Sequence, residues 1–363
     1  MKRLFYKQIH YRVVDINTAS PKAPEASILV IYTGGTLGMV YEKDGNSLVP
    51  FDFEQILERM PELNRFGYQL TVISFNKLID SANVNPAHWA ALAMLIQENY
   101  DKYNGFVIIH GTDTMAYSAS ALSYLLEGLN KPVILTGAQL PIGAVRTDAR
   151  ENLITALEIA AARKDGRPLV SEVCIYFGTL LLRGNRARKV ESAQFGAFES
   201  RNYPPLAESG IRIIYNDSAI KPYQPFSQLK VHDKMDVRVG ILKLYPGIGK
   251  EIVEAQLSLP NIRGLVLETY GSGNAPSENW FLSLIKNAVD KGLIIMNVSQ
   301  CNGGTVMQGR YETSKHLALA GVISGGDITT EAAITKMMFV LGQHANKADI
   351  VRMLSEPVRG EMS

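Results

Sequence analysis

The stretch Ser27-Ile28-Leu29-Val30-Ile31-Tyr32-Thr33-Gly34-Gly35-Thr36-Leu37-Gly38 decides the fold. Its first six residues form an apolar, partly β-branched run that stops abruptly in a glycine loop. A run apolar on both faces predicts a strand covered on two sides, the habit of parallel sheets. Similar runs recur at Tyr68 to Phe75, Gly105 to His110, Pro132 to Thr136 and Val170 to Phe177. Between them the pattern turns helical. Asn85-Pro86 supplies an N-cap and a first-turn proline for a helix through about Tyr103. Further helices are expected from about Ala116 to Leu129 and from about Asp148 to Arg163. Strands alternating with helices predict a parallel sheet that binds its ligand beyond the carboxyl ends of the strands. Thr36, Asp80, Thr112 and Asp113 each follow an apolar strand, so they are expected at that edge.

Working outward, residues 1–27 lack periodicity and carry Pro21 and Pro24, which reads as an N-terminal extension. Residues 28–215 form the expected catalytic α/β domain. Residues 216–236 are polar, proline-containing and aperiodic, the expected linker. Residues 237–363 resume the pattern, with strands at Val237 to Leu244, Gly264 to Thr269 and Leu293 to Val298 and helices at Ser277 to Asp290 and Thr329 to Leu341. The expected fold class is α/β: two domains, each a parallel or mostly parallel sheet covered by helices, the larger one N-terminal.

A chain of 363 residues with 46% hydrophobic and 20% charged residues is an ordinary globular protein, long enough for two cores. Its 37 basic and 35 acidic residues give a net charge of +2, no argument for a nucleic-acid partner. Two cysteines, Cys174 and Cys301, suit a reducing cytoplasm better than a disulfide framework. Neither an export signal nor an apolar run of about 18 residues is read, so no membrane association is expected. Six scattered histidines without a ligand-like spacing predict no metal site.

The glycine loop fails the dinucleotide fingerprint, because Thr33 stands at the first glycine position and residues 40–46 do not read as a helix. No phosphate-binding Gly-x-x-x-x-Gly-Lys-Ser/Thr segment exists either. The loop does offer the Thr33 and Thr36 hydroxyls beside backbone N–H groups that could stabilise an oxyanion. On the residues alone, an ordinary tight turn accounts for it equally well. In Ile109-His110-Gly111-Thr112-Asp113-Thr114-Met115, Asp113 or Thr114 reads as a helix N-cap, or Thr112 and Asp113 project into the cleft. The run Arg183-Gly184-Asn185-Arg186-Ala187-Arg188-Lys189 reads as a solvated basic loop unless one lysine turns inward to take a proton from a hydroxyl. Ser283-Leu284-Ile285-Lys286 spells Ser-x-x-Lys, but lies in an amphipathic helix without companion motifs. Trp89 and Trp280 read as helix-borne core or interface anchors.

Together, Thr33-Gly34-Gly35-Thr36, His110-Gly111-Thr112-Asp113-Thr114-Met115, the 183–189 run, Asp80-Ser81, Thr136-Gly137-Ala138-Gln139, Tyr270 to Pro276 and Gly325-Gly326-Asp327 resemble the L-asparaginase family, in its bacterial cytoplasmic branch. The resemblance runs from about Ile28 to the C-terminus. It implies hydrolysis of L-asparagine to L-aspartate and ammonia without metal or cofactor. It further implies Thr36 as the nucleophile that forms an acyl-enzyme, with Thr112, Asp113 and Lys189 as the remaining catalytic cluster. Gly35, Asp80, Ser81, Gly111, Thr112 and Asp113 would bind substrate, Ser81 holding the α-carboxylate and Asp113 the α-ammonium. Asn274 would reach the site of a neighbouring subunit in a homodimer or homotetramer. One departure stands out: family members commonly carry a tyrosine on the lid a dozen or so residues after the first threonine, whereas this chain has Leu48 near that position and Tyr41 as the nearby tyrosine. Glutaminase or mixed activity, action on the D-isomer and a non-catalytic amino-acid-binding protein are the competing readings. An ammonia-feeding subunit of a transfer-RNA-modifying enzyme is disfavoured by the near-neutral charge and the short extension.

Overall fold

The computed structural model describes residues 10–18, 22–41, 48–50, 60–309 and 312–363. The chain divides into two compact units, Met1–Asp233 and Lys234–Ser363.

The first unit is built on one nine-stranded sheet of β1 (Tyr11–Asn17), β2 (Ala26–Tyr32), β3 (Tyr68–Phe75), β4 (Gly105–Ile109), β5 (Val133–Thr136), β6 (Val173–Phe177), β7 (Leu180–Arg183), β8 (Ala207–Ser209) and β9 (Ile213–Tyr215). The spatial order is β1-β3-β2-β4-β5-β6-β7-β8-β9. The five strands from β3 to β6 are parallel, as the apolar runs require. Ile28, Val30 and Tyr32 join one core cluster. Leu29 and Ile31, which point the other way, are also fully buried, so both faces of β2 are covered. The outer strands are antiparallel. Residues 11–17 of the expected extension pair with β3 from Tyr11↔Phe75 to Asn17↔Gln69. On the far side β7, β8 and β9 fold back as antiparallel neighbours.

Helices α1 (Pro86–Asn99), α2 (Met115–Leu125) and α3 (Ala149–Ala161) cover the sheet. The Asn85 side chain accepts from the Ala87 N–H at 3.0 Å, with Pro86 in the first turn, as the sequence predicts. Helix α1 stops short of Tyr103. The Lys131 ammonium donates to the Tyr100 and Tyr103 carbonyls, satisfying groups that follow the helix end. Helix α2 ends at Leu125 because Leu126–Glu127 leaves it to pair antiparallel with Lys230–Val231. That pairing folds part of the expected linker onto the first unit, where His232 Nε2 lies 2.6 Å from Glu127 Oε2.

The second unit carries a four-stranded parallel sheet, β10 (Val239–Lys243), β11 (Gly264–Thr269), β12 (Ile294–Ser299) and β13 (Ile323–Ser324), in that order. Its helices are α4 (Lys250–Leu257), α5 (Asn279–Asp290), α6 (Glu312–Leu319), α7 (Thr330–Gln343) and α8 (Lys347–Ser355). Val253 and Leu257 of α4 and Phe281 and Ile285 of α5 share a core with Leu265 and Leu267 of β11. Helix α7 packs on β10, β11 and β12, and α8 packs on α7. Among the described residues no helix is long and apolar enough to cross a membrane.

The strand order locates the site. From β2 the chain moves outward to β3, then crosses back to β4 on the other side of β2. The reversal opens a crevice beyond the carboxyl ends of β2 and β4, where open α/β sheets take their ligands. Register sharpens this, since Tyr32 lies beside Ile109 and Ile109 beside Thr136. Thr33, His110 and Gly137 therefore leave the sheet at one level.

Candidate active site

Three loops meet at that crevice, and small residues let them meet. Gly34 and Gly35 adopt φ of 139° and 96°, a region that L side chains rarely occupy. A Cβ on Gly34 would fall on the Ile79 carbonyl oxygen, and one on Gly35 would lie 2.6 Å from the Gly111 nitrogen. Gly111 in turn packs against Ser81, whose Oγ would sit 2.6 Å from a Cβ there. The glycine loop after β2 thus meets the loops after β3 and β4 backbone to backbone, and Gly111 of the latter rests on the Ser81 side chain. Thr33 ties the first of them to β4, its Oγ1 donating to the Ile109 carbonyl at 2.9 Å.

Thr36 begins a single 3₁₀ turn, Thr36–Gly38, at the crevice. The Tyr32 hydroxyl supports that turn from below, donating to the Gly38 carbonyl at 2.8 Å. Burial pushes the Tyr32 phenol up, so it stays a neutral donor. Asp80 caps the short turn Ser81–Asn83 by accepting from the Ala82 N–H at 3.0 Å, while Ser81 is buried. Thr114 occupies the N-cap position of α2, but its hydroxyl donates to the Ser81 carbonyl at 2.8 Å instead. Neither Thr114 nor Asp113 provides the side-chain cap that the sequence allowed. Asp113 is turned the other way.

Lys189 joins this group from a distant part of the chain. Its Nζ donates to Thr112 Oγ1 at 2.8 Å and to Asp113 Oδ1 at 2.7 Å. The Lys189 side chain is 16% exposed and that of Asp113 69%, so the pair spans the boundary between protein and solvent. Lys189 lies in a two-strand ribbon, paired with Phe198. The preceding run is not a solvated loop: Arg183, Asn185 and Arg186 are buried. Arg183 Nε donates to Glu172 Oε2 at 2.6 Å, and its Nη2 donates to the Ala219 carbonyl at 3.0 Å. Burial alone would lower the Arg183 pKa, but the Glu172 carboxylate holds it above the usual guanidinium value. The Arg183 and Arg186 guanidinium carbons stand 4.3 and 5.3 Å from the Tyr203 ring centre. These contacts anchor the segment that delivers Lys189.

Sequence reasoning overlooked His110. Its Nδ1 lies 2.7 Å from the Gly111 carbonyl and its Nε2 2.9 Å from Ser118 Oγ. A carbonyl only accepts, so Nδ1 carries the hydrogen and Nε2 accepts from Ser118. The Trp89 indole completes the chain, donating to Ser118 Oγ at 2.9 Å. Burial lowers the His110 pKa and keeps the ring neutral, as this tautomer needs. The signal was present in a histidine between an apolar strand and a glycine, but a partner eight residues ahead is visible only once α2 is folded.

Asn274 belongs to the second unit, in a tight loop where its N–H donates to the Tyr270 carbonyl at 2.8 Å. The backbones of Tyr41 and Leu48 pair across a short ribbon of Met39–Tyr41 and Leu48–Pro50. Which of their side chains faces Thr36 lies outside the described residues.

Residues 27–221 match the family model described as Asparaginase, N-terminal, and residues 238–354 match the Glutaminase/Asparaginase C-terminal domain. L-asparaginase 1 of Escherichia coli is 41% identical over 338 residues, covering 93% of this chain and 98% of that protein. The 60 kDa lysophospholipase of Homo sapiens is 41% identical over 362 residues, 94% of this chain but only 62% of that protein. The crystal structure of L-asparaginase I from Vibrio cholerae O1 biovar eltor superposes with a TM-score of 0.84 at 40% identity, covering 93% of this chain and 99% of that one.

Proposed function

The chain belongs to the asparaginase family, and from that premise we propose that it hydrolyses L-asparagine to L-aspartate and ammonia with Thr36 as nucleophile. The observation that carries this reading is the Lys189, Thr112 and Asp113 cluster, facing a glycine loop whose backbone is locked onto Gly111.

The Thr36 oxygen forms a bond to the side-chain amide carbon, the carbon–nitrogen bond breaks, and ammonia leaves with the proton that Thr36 gave up. Water then cleaves the ester, releasing aspartate and restoring the hydroxyl. Backbone N–H groups beside Gly35 and Gly111 are the candidates for stabilising the oxyanion. Thr112 accepts from Lys189, which leaves its own hydroxyl hydrogen available to the reacting groups, and proton exchange along this pair activates the attacking oxygen. Asp113 is exposed enough to exchange its lysine partner for a substrate ammonium, while Ser81, with Asp80 beside it, takes the α-carboxylate. No metal or cofactor is needed for any step. Asn274 would complete the site of a second copy in a homodimer or homotetramer. A cytoplasmic location accords with two free cysteines, one of them buried.

The test is ammonia release by the purified protein from L-asparagine, L-glutamine and their D-isomers. Release should be fastest with L-asparagine, and Thr36→Ala and Lys189→Met should each lower it by about three orders of magnitude while far-ultraviolet circular dichroism stays unchanged. Near-wild-type activity in either variant would overturn the assignment. Preference for glutamine, in keeping with the other activity that names the C-terminal domain family, would move the reading to a glutaminase. Asparagine binding without ammonia release would move it to a binding protein.

A further inference from the structure

We propose that the turn Pro141 to Ala144 is the seat that sets the position of the Thr36 hydroxyl, with Gly143 acting as a positioning residue through its contact with Val40. The inference rests on the reading of Thr36 as nucleophile and concerns what aims it.

The turn that starts at Thr36 is mounted at three points. Behind it, Gly35 abuts Gly111. Below it, the Tyr32 hydroxyl donates to the Gly38 carbonyl. In front, the Ile142 N–H donates to the Leu37 carbonyl at 3.2 Å, with Ile142 and Leu37 both buried in the same core cluster. The first two mounts are short-range or backbone-locked. The third comes from the loop after β5, so the Thr36 turn inherits its position from that loop.

The loop after β5 is itself rigidly held. The buried Asp148 carboxylate accepts from the Gln139 N–H at 2.9 Å and from the Leu140 N–H at 3.1 Å. Thr147 Oγ1 donates to the Leu140 carbonyl at 3.0 Å, and the Ala144 N–H closes the turn onto the Pro141 carbonyl at 2.9 Å. Asn152 Nδ2 donates to the Gly137 carbonyl at 2.9 Å, fixing the start of the loop. Hydrogen bonds of this kind hold a loop in one arrangement rather than letting it follow its neighbour.

Gly143 sits at the crest of this seat, facing the strand that leaves the Thr36 turn. A Cβ there would lie 3.3 Å from Val40 Cγ1 and 3.8 Å from Val40 Cα. The φ of Gly143 is outside the left-handed region, so a side chain costs no backbone strain and its effect falls on the contact. With the loop anchored by Asp148, Val40 is the side that yields, and it stands only four residues from Thr36, in the strand that leaves the turn. Misplacement of a reacting atom by about 1 Å can cost 100-fold in rate, so a displacement of a few tenths is readable in turnover.

The experiment is a double-variant cycle on the full chain with Gly143→Ala, Gly143→Val, Val40→Ala and the combination of Gly143→Val with Val40→Ala. Ammonia release from L-asparagine is measured alongside the methyl resonance of Thr36 in threonine-labelled protein. We expect Gly143→Val to lower kcat about tenfold with KM changed less than about threefold, and Gly143→Ala to fall between it and wild type. The Thr36 methyl signal should shift in the same order. Trimming Val40 in the Gly143→Val background should restore both readouts to within about threefold of Val40→Ala alone. A kcat loss that Val40→Ala leaves unrepaired, or an unmoved Thr36 methyl in Gly143→Val, overturns the proposal. A wild-type protein that releases no ammonia overturns the asparaginase reading instead, and the methyl resonances still decide whether the seat moves Thr36.

Discussion

At the scale of single residues, position in the fold separates groups that the sequence lists side by side. Asp113 and Thr112 are neighbours in the chain, yet Asp113 is largely in solvent while Thr112 accepts from the half-buried Lys189. Exposed ion pairs contribute little to stability, about 0 to 1 kcal/mol. Asp113→Asn should therefore shift the melting temperature by about a degree, yet raise KM for asparagine about 30-fold or more, because it removes the proposed partner of the substrate ammonium. Initial-rate kinetics and thermal melts on one preparation check both halves. His110 offers a second test. Its folded pKa is lowered, so the unfolded chain takes up a proton first and the stability from the neutral ring is lost as pH falls below about 6.5. The His110 ring-carbon resonances should still report a neutral imidazole at a pH where those of an exposed histidine have begun to shift. The hydroxyls and carboxylates at strand ends were legible in the sequence because each follows an apolar run. His110 was not, because its partners Ser118 and Trp89 come from two helices.

At the scale of elements, the central strands could be read almost to the residue, since Tyr68–Phe75 and Gly264–Thr269 have both the expected bounds. Runs buried on both faces leave little freedom of assignment. The antiparallel strands β7, β8 and β9 were missed, since three or four residues at a sheet margin carry no periodicity. The helix α4 was missed because it is short and polar over most of its surface. The basic run at Arg183 is the instructive case. Charge content predicts solvation, but Glu172 and Tyr203, distant in sequence, bury it. Removing one member of such a pair strands the other, at a cost of about 3 to 5 kcal/mol, whereas removing the charge from both costs less. Arg183→Met should lower the urea midpoint accordingly, and Arg183→Met combined with Glu172→Gln should recover a substantial part of the loss. A double variant no more stable than Arg183→Met alone would show that the pair is not the source of the cost.

At the scale of the whole molecule, the expectation of two α/β units with the larger one first agrees with the two sheets, and the resemblance agrees with family matches that span both. Near the start of the second unit, Asp236 accepts from Arg238 Nη2 at 2.7 Å and Arg263 Nη1 at 2.8 Å. The Arg238 hydrogen bonds, joined by those of Arg263, hold its carboxyl well below the usual carboxylate range. Its contribution is complete above about pH 4 and is lost as pH falls toward the lower folded value, because the unfolded chain takes up the proton first. Wild type should therefore outlast Asp236→Asn in thermal melts at pH 7, and the gap should narrow steadily from pH 4 to pH 2. A gap independent of pH would remove the carboxylate from that role. The close approach of Gly35 to Gly111, and of Gly111 to Ser81, has a consequence for redesign. A loop imported singly from a relative must reproduce the contours of two neighbours it did not evolve beside, so chimaeras should exchange the three strand-end loops as one cassette. Substrate range is then better altered through side chains carried on those loops than through the course of the loops themselves.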